Sequence, residues 1–220
     1  MSESSVKIFR NPTPKTLFSP KFQYVIYESN ISDMFDMKNA AYVILSKEKE
    51  VISSYPYIDD WGTALGENSM TSRADAINLL KWEEFSELGK VIRECHSDLL
   101  KKIDCYNYEN LYVQCWANVL RKGQRIAQHQ HWRTPYSYLG GHISVQTTGT
   151  ETSYVNPITK EVYHSTNDNG KITLFENWIE HYTSEHNSDE ERITIAFDII
   201  TETVYAEDIF PLKKSHWVQI

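Results

Sequence analysis

After about residue 107 the chain becomes a succession of short strand-like runs, and this pattern limits the possible folds more than any other feature. Residues 111–120, 126–131, 137–147, 152–155, 161–164, 171–175 and 192–203 are rich in β-branched and aromatic side chains. Turn residues separate them at Lys122-Gly123, Thr148-Gly149, Asn156-Pro157 and Asn167-Asp168-Asn169-Gly170. Many short strands with regular turn signals imply a sandwich, jelly roll or barrel.

The first half reads differently. Residues 6–9 and 22–27 suggest two strands around a turn at Asn11-Pro12-Thr13-Pro14. Ile31-Ser32-Asp33 offers a start for a helix over 34–51, with Glu48, Lys49 and Glu50 as its solvated end. Residues 53–75 look like a long loop, either a lid or a surface excursion. A second helix is expected over 81–103, because Phe85, Leu88, Ile92, Cys95 and Leu99 recur at steps of three and four. His96 lies beside that face and reads as a structural histidine. The result is an α+β chain forming a single domain. Residues 1–106 supply bracing helices and N-terminal strands, 107–204 an all-β core, and 205–220 a C-terminal tail.

Bulk properties narrow the function. With 22 basic and 30 acidic residues the formal net charge is −8, which argues against nucleic acid or an anionic membrane as partner. Cys95, Cys105 and Cys115 form no CxxC, and Cys95 and Cys115 read as buried thiols. A reducing, cytoplasmic setting fits them. No signal peptide and no apolar stretch of membrane-spanning length is evident.

The candidate ligands fall in the β-rich half. His129 and His131 are one residue apart in Gln128-His129-Gln130-His131, and side chains at i and i+2 of an extended segment face the same way. His181 follows the apolar run of residues 172–175. Imidazole suits iron, zinc, copper and nickel, and a near pair plus a distal histidine can present one open metal face in a jelly roll. Arg192 comes eleven residues after His181 and can pair bidentately with a carboxylate. Thr194 points the same way and could add a hydroxyl.

Four segments carry a family resemblance: Trp116 to Gly123, Gln128 to His131, Leu174 to His181, and Glu191 to Phe197. Together they resemble the 2-oxoglutarate/Fe(II)-dependent oxygenases, closest to members assigned by sequence alone, several of them phage-encoded. The resemblance covers roughly the last half of the chain. It implies a double-stranded β-helix (jelly roll), Fe(II) held by His129, His131 and His181, and 2-oxoglutarate as co-substrate on Arg192 and Thr194. It also implies O2 as reactant, hydroxylation of a small-molecule or protein substrate, and release of succinate and CO2. Tyr138, Asn118 and His142 are further candidates for contact with the co-substrate, each with an ordinary core role as the alternative.

One position departs from the family pattern. The superfamily has His-x-Asp or His-x-Glu where this chain has His131. Either three histidines hold the metal, which is the preferred reading, or His131 stands behind a carboxylate from elsewhere. Glu151 and Asp168 are the nearest downstream candidates, and neither has the right spacing. Two rival functions stay open. One is a cupin-like three-histidine metalloenzyme without 2-oxoglutarate, which has no need of Arg192. The other is a non-catalytic jelly-roll binding protein. Arg133 reads as a surface ion-pair former, Trp132 and Trp178 as core neighbours of the ligands, and His164, His186 and His216 as structural or surface residues. A homodimer is compatible with the sequence but not required by it.

Overall fold

Side-chain alternation along one long strand organises the molecule. The computed structural model describes residues 3–10, 13–19, 22–106, 109–131, 133–207 and 213–220. Among these described residues there are ten strands, in chain order β1 (Ser5–Arg10), β2 (Gln23–Asn30), β3 (Leu111–Leu120), β4 (Leu139–Gln146), β5 (Glu151–Val155), β6 (Val162–Thr166), β7 (Lys171–Glu176), β8 (His181–Thr183), β9 (Arg192–Thr201) and β10 (Val218–Gln219). They form a seven-stranded sheet in the order β1-β2-β7-β4-β9-β3-β10 and a three-stranded sheet in the order β6-β5-β8. All strand pairings are antiparallel.

On β9, Ile193, Ile195, Phe197 and Ile199 point into the main apolar core. Arg192, Thr194, Ala196 and Asp198 point the other way, into a cavity. Its partner β3 repeats the pattern, with Val113, Cys115, Ala117 and Val119 in the core and Gln114, Trp116 and Asn118 on the cavity. A strand read with period two thus separates packing from chemistry.

Helices cover the core face. Helix α1 (Met37–Ser54) begins at Asp36, whose side chain accepts from the Asn39 N–H at 3.0 Å, a cap worth about 1 kcal/mol. Helix α2 (Leu88–Lys102) buries Leu88, Ile92, Cys95 and Leu99. Burial of each large aliphatic chain contributes roughly 1.5–3 kcal/mol. The helix expected from residue 81 starts later, since Leu79–Lys81 and Glu83–Phe85 form separate 3-10 turns. Glu48 does not belong to a solvated helix end. It is 7% exposed, and Arg121 donates to both its oxygens at 2.6 Å, a fork that makes the burial tolerable.

Three other expectations change. Residues 126–131 are not a regular strand. Their backbone makes a single isolated bridge, His129 with His181. The Thr183 N–H donates to Ile126 and the His181 N–H to His129, so three steps on one side oppose two on the other. That is a bulge, and it breaks the ladder. The strand expected to reach residue 203 ends at Thr201 and passes into the short helix α3 (Glu202–Glu207). The C-terminal tail is partly structured: β10 pairs with β3, and the Ile220 N–H donates to the Leu111 carbonyl at 2.9 Å. Asn11, Pro12 and Trp132 lie outside the described residues.

Candidate metal centre and its cavity

Between the two sheets lies a cavity of about 610 Å³, within the usual size of a small-molecule site. The larger sheet supplies Trp116, Asn118, His142, Phe175, Arg192, Thr194 and Asp198 to its wall. The smaller sheet supplies Thr152, His181 and Thr183. The irregular segment after β3 contributes His129 and His131. The loop over 53–75 is a wall of this cavity, through Trp61, Thr63, Thr71, Ala74 and Asp75. It is pinned there because the Ala127 N–H donates to the Thr63 carbonyl at 2.9 Å.

His129, His131 and His181 converge. One ring nitrogen from each lies within 4.8 Å of those of the other two, and among the described residues this is the one such histidine, cysteine and carboxylate group. The Nδ1 atoms are spoken for. That of His129 donates to the Ala127 carbonyl at 2.8 Å, and that of His181 to the Ile179 carbonyl at 2.9 Å. That of His131 meets Asp198 Oδ1 at 2.6 Å. A carbonyl can only accept, so His129 and His181 carry their proton on Nδ1, and Nε2 is left as a lone-pair donor. Burial, reinforced by the neighbouring His131, lowers the His129 pKa to about 4. Burial, with His129 and His131 beside it, holds His181 well below its ordinary value. Both rings are therefore neutral at pH 7, as a metal ligand must be.

Arg192 sits in the same cavity and is 1% exposed. Its Nε–H donates to Thr150 Oγ1 at 3.1 Å, while Nη1 is buried without a partner. Burial pushes its pKa down to about 10. A buried cation with an unpartnered donor is a costly arrangement unless an anion completes it. Thr194, two residues on, is also 1% exposed. Thr71 donates to Asn118 Oδ1 at 2.6 Å, and Asn118 Nδ2 donates to Thr194 Oγ1 at 3.4 Å. Thr194 thus accepts from the protein and keeps its own proton for a further acceptor.

The remaining candidates divide. His142 lines the cavity, with Nε2 at 2.9 Å from the Tyr154 hydroxyl and Nδ1 buried without a partner. Burial lowers its pKa to about 3. Tyr138 is elsewhere. Its hydroxyl is 2.7 Å from His96 Nε2, and it packs against the main core, whereas Tyr136 lines the cavity. Neither Glu151 nor Asp168 reaches the site, since they lie beside His164 and Thr166 respectively. A carboxylate that does reach the histidines is Asp198, which the spacing did not suggest. Its signal was an aspartate inside the apolar run of residues 193–200, in phase with Arg192 and Thr194. Arg133 also lines the cavity, with its side chain exposed.

Comparisons with known proteins agree with this arrangement. Residues 140–198, from β4 into β9, match the sequence family described as "Putative 2OG-Fe(II) oxygenase". No curated protein matches the sequence. Among solved structures, the non-heme alpha ketoglutarate dependent carbocyclase SnoK from nogalamycin biosynthesis is similar over 90% of this chain and 91% of its own, at 12% identity and a TM-score of 0.56. The viral collagen prolyl hydroxylase of Paramecium Bursaria Chlorella virus-1, solved with 2OG, is similar over 80% of this chain and 96% of its own, at 12% identity and a TM-score of 0.52. A prolyl hydroxylase from Trichoplax adhaerens covers 84% of this chain and 87% of its own, at 12% identity and a TM-score of 0.51. The match in sequence runs over the cavity-forming strands, and the likeness in fold, to oxygenases that use 2-oxoglutarate, extends over most of the chain.

Proposed function

We propose that this chain hydroxylates a small-molecule or protein substrate, with iron on His129, His131 and His181 and the far carboxylate of 2-oxoglutarate on Arg192 and Thr194. The observation that supports this most is the sharing of one cavity by three converging imidazoles and a buried arginine that has no acidic partner among the described residues. The two facing sheets are then the halves of a double-stranded β-helix braced by α1 and α2 in a single domain. Iron and 2-oxoglutarate, when bound, would supply the oxidising chemistry together with O2, one oxygen atom going to the substrate and the other to succinate as CO2 leaves. The protein supplies position and dryness. Arg192 fixes a carboxylate by two parallel donors. Thr194, oriented by Asn118, adds a hydroxyl proton to it. Phe175 and Trp116 exclude water from the ligand face. His142 offers Nδ1 as a further contact for the bound acid. Tyr138, spent on His96, is not part of this reading.

A three-histidine enzyme that does not use 2-oxoglutarate would leave the Arg192 guanidinium without purpose. Anaerobic titration with Fe(II) and then 2-oxoglutarate tests the reading. A weak visible charge-transfer band, appearing only with both and absent in H181A, is the expected result. Folded wild-type protein that shows no band with both present would refute it.

A further inference from the structure

The three candidate ligands are not held alike. His129 and His181 lean on neutral main-chain carbonyls, whereas His131 leans on a carboxylate. The His131 and Asp198 side chains are only 9% and 5% exposed. Among the described residues, His131 is the one ion-pair partner of Asp198. The contact is also built for. Gly140 lies directly opposite Asp198 in the β4–β9 register. A Cβ on Gly140 would sit 3.2 Å from Asp198 Oδ1, 3.3 Å from His131 Nδ1 and 3.4 Å from Asn177 Cβ. Any larger residue would crowd the pair. The His131 backbone is fixed from the other side, its N–H donating to the Asn177 carbonyl at 2.9 Å.

We propose that Asp198 is the carboxylate of this metal centre, moved from the metal to the back of His131, where it fixes the ring and returns a negative charge to a site with three neutral ligands. The proposal rests on the iron-binding reading above. A carboxylate accepting from the Nδ1–H of a ligating histidine sets its tautomer and orientation and strengthens its Nε2 as a donor. With Asp198 counted, the protein contributes the same formal charge as two histidines and one ligating carboxylate. His131 then fills the position that the near-pair carboxylate has elsewhere, and the charge is kept one ring further out. Asp198 is a positioning residue in this account, since it touches neither substrate nor metal.

The test uses Co(II) as an optical and calorimetric probe of the whole protein, with D198N, D198A and H181A. D198N can still accept the Nδ1–H but lacks the charge, and D198A lacks both. Co(II) affinity should fall about 10- to 100-fold in D198N and further in D198A. The metal-free unfolding temperature of D198N should stay close to wild type. Co(II) binding by folded D198N within threefold of wild type overturns the proposal. A wild type that binds no Co(II) or Fe(II), with H181A indistinguishable from it, overturns the iron-binding reading and this proposal together. A second measurement needs no variant. Co(II)-loaded wild type in water should show three exchangeable, paramagnetically shifted imidazole N–H signals, and two signals would remove His131 from the metal.

Discussion

Arg192 should behave as a residue that the empty fold tolerates badly and the ligand repays. Its guanidinium is 1% exposed, one of its terminal nitrogens has no partner, and burial brings its pKa from 12.5 to about 10. That displacement corresponds to roughly 3 kcal/mol of unfavourable desolvation in the folded state. Arg192→Met keeps most of the volume and removes the charge. It also removes the 3.1 Å bond from Nε to Thr150, worth about 1–2 kcal/mol. The Thr150 hydroxyl keeps a second donor, Asn167 Nδ2 at 3.3 Å. The balance favours the variant by about 1–2 kcal/mol without ligand, in line with other replacements of buried charge by apolar residues. For a chain of this size that is a rise of roughly 2–8 °C in unfolding temperature. Co-substrate reverses the order. Saturating wild type at about 100 times Kd adds about 2.7 kcal/mol. The variant loses a charge-assisted pair of at least about 2 kcal/mol, so its 2-oxoglutarate affinity should fall roughly 30-fold or more. Thermal unfolding of both proteins, with and without 2-oxoglutarate and Mn(II), reads the two effects at once. A variant that is less stable without ligand and is shifted by 2-oxoglutarate as much as wild type would show Arg192 to be a structural cation.

Three further outcomes follow from packing and titration. Gly141→Ala should lower the unfolding temperature by several degrees, because its Cβ would lie about 2.4 Å from the Phe197 ring and 2.6 Å from the Thr173 carbonyl. An unchanged midpoint would mean that β4 and β7 can part at no cost. Burial raises the Glu176 carboxyl from 4.5 to about 7, against the Val25 N–H bonds that oppose the rise. Between those values the folded chain keeps a proton that the unfolded chain has released, so stability falls as pH rises through the window. Glu176→Gln should flatten this fall in urea unfolding and be more stable than wild type at pH 8, by at most about 3 kcal/mol. A steeper fall in the variant would contradict it. His96 and His142 run the other way, since burial lowers them from 6.5 to about 4 and about 3. Below pH 6.5 the unfolded chain takes up protons that these buried rings refuse, so stability is lost as pH falls, at about 1.4 kcal/mol per pH unit for each ring. His96→Gln should remove one ring's share of that slope between pH 6 and 4.5, and an unaltered slope would show that His96 is protonated in the fold.

The strands of the second half were legible because their residues alternate or run apolar between turns of known chemistry. The 192–203 run gave both its core face and its cavity face from period two alone. Where sequence reading failed, the cause was tertiary. Residues 126–131 look like a strand, but their partner β8 has three residues, and a bulge is needed to turn both histidines inward. Glu48 reads as solvated because its neighbours in sequence are charged, and only the approach of Arg121 from the end of β3 explains its burial. Tyr138 shares its i, i+2 phase with Tyr136, yet the chain turns between them, and the two hydroxyls end on different faces of the sheet.

Asp198 shows most clearly what spacing can and cannot convey. A search for a missing carboxylate looks near the histidine it replaces, and so it meets Glu151 and Asp168, which are close in sequence and remote in space. The fold sets a different distance. Strand β9 lies between β3 and β4, and β4 leads directly out of the segment that holds His131. An inward side chain on β9 therefore returns to His131 after 67 residues of chain. From 192 to 198 every second position of β9 faces the cavity: Arg192 and Thr194 at one end, Ala196 between, and Asp198 beside the histidines. The small Ala196 leaves room along the strand between the two ends. One strand thus presents a buried cation at one end and a carboxylate against His131 at the other, six residues apart. At about 3.4 Å per residue that is roughly 20 Å of strand, or somewhat less with twist. Three side-chain periods separate the two ends, so a one-residue deletion or a bulge within 193–197 would turn one end away from the cavity while the other stayed in it.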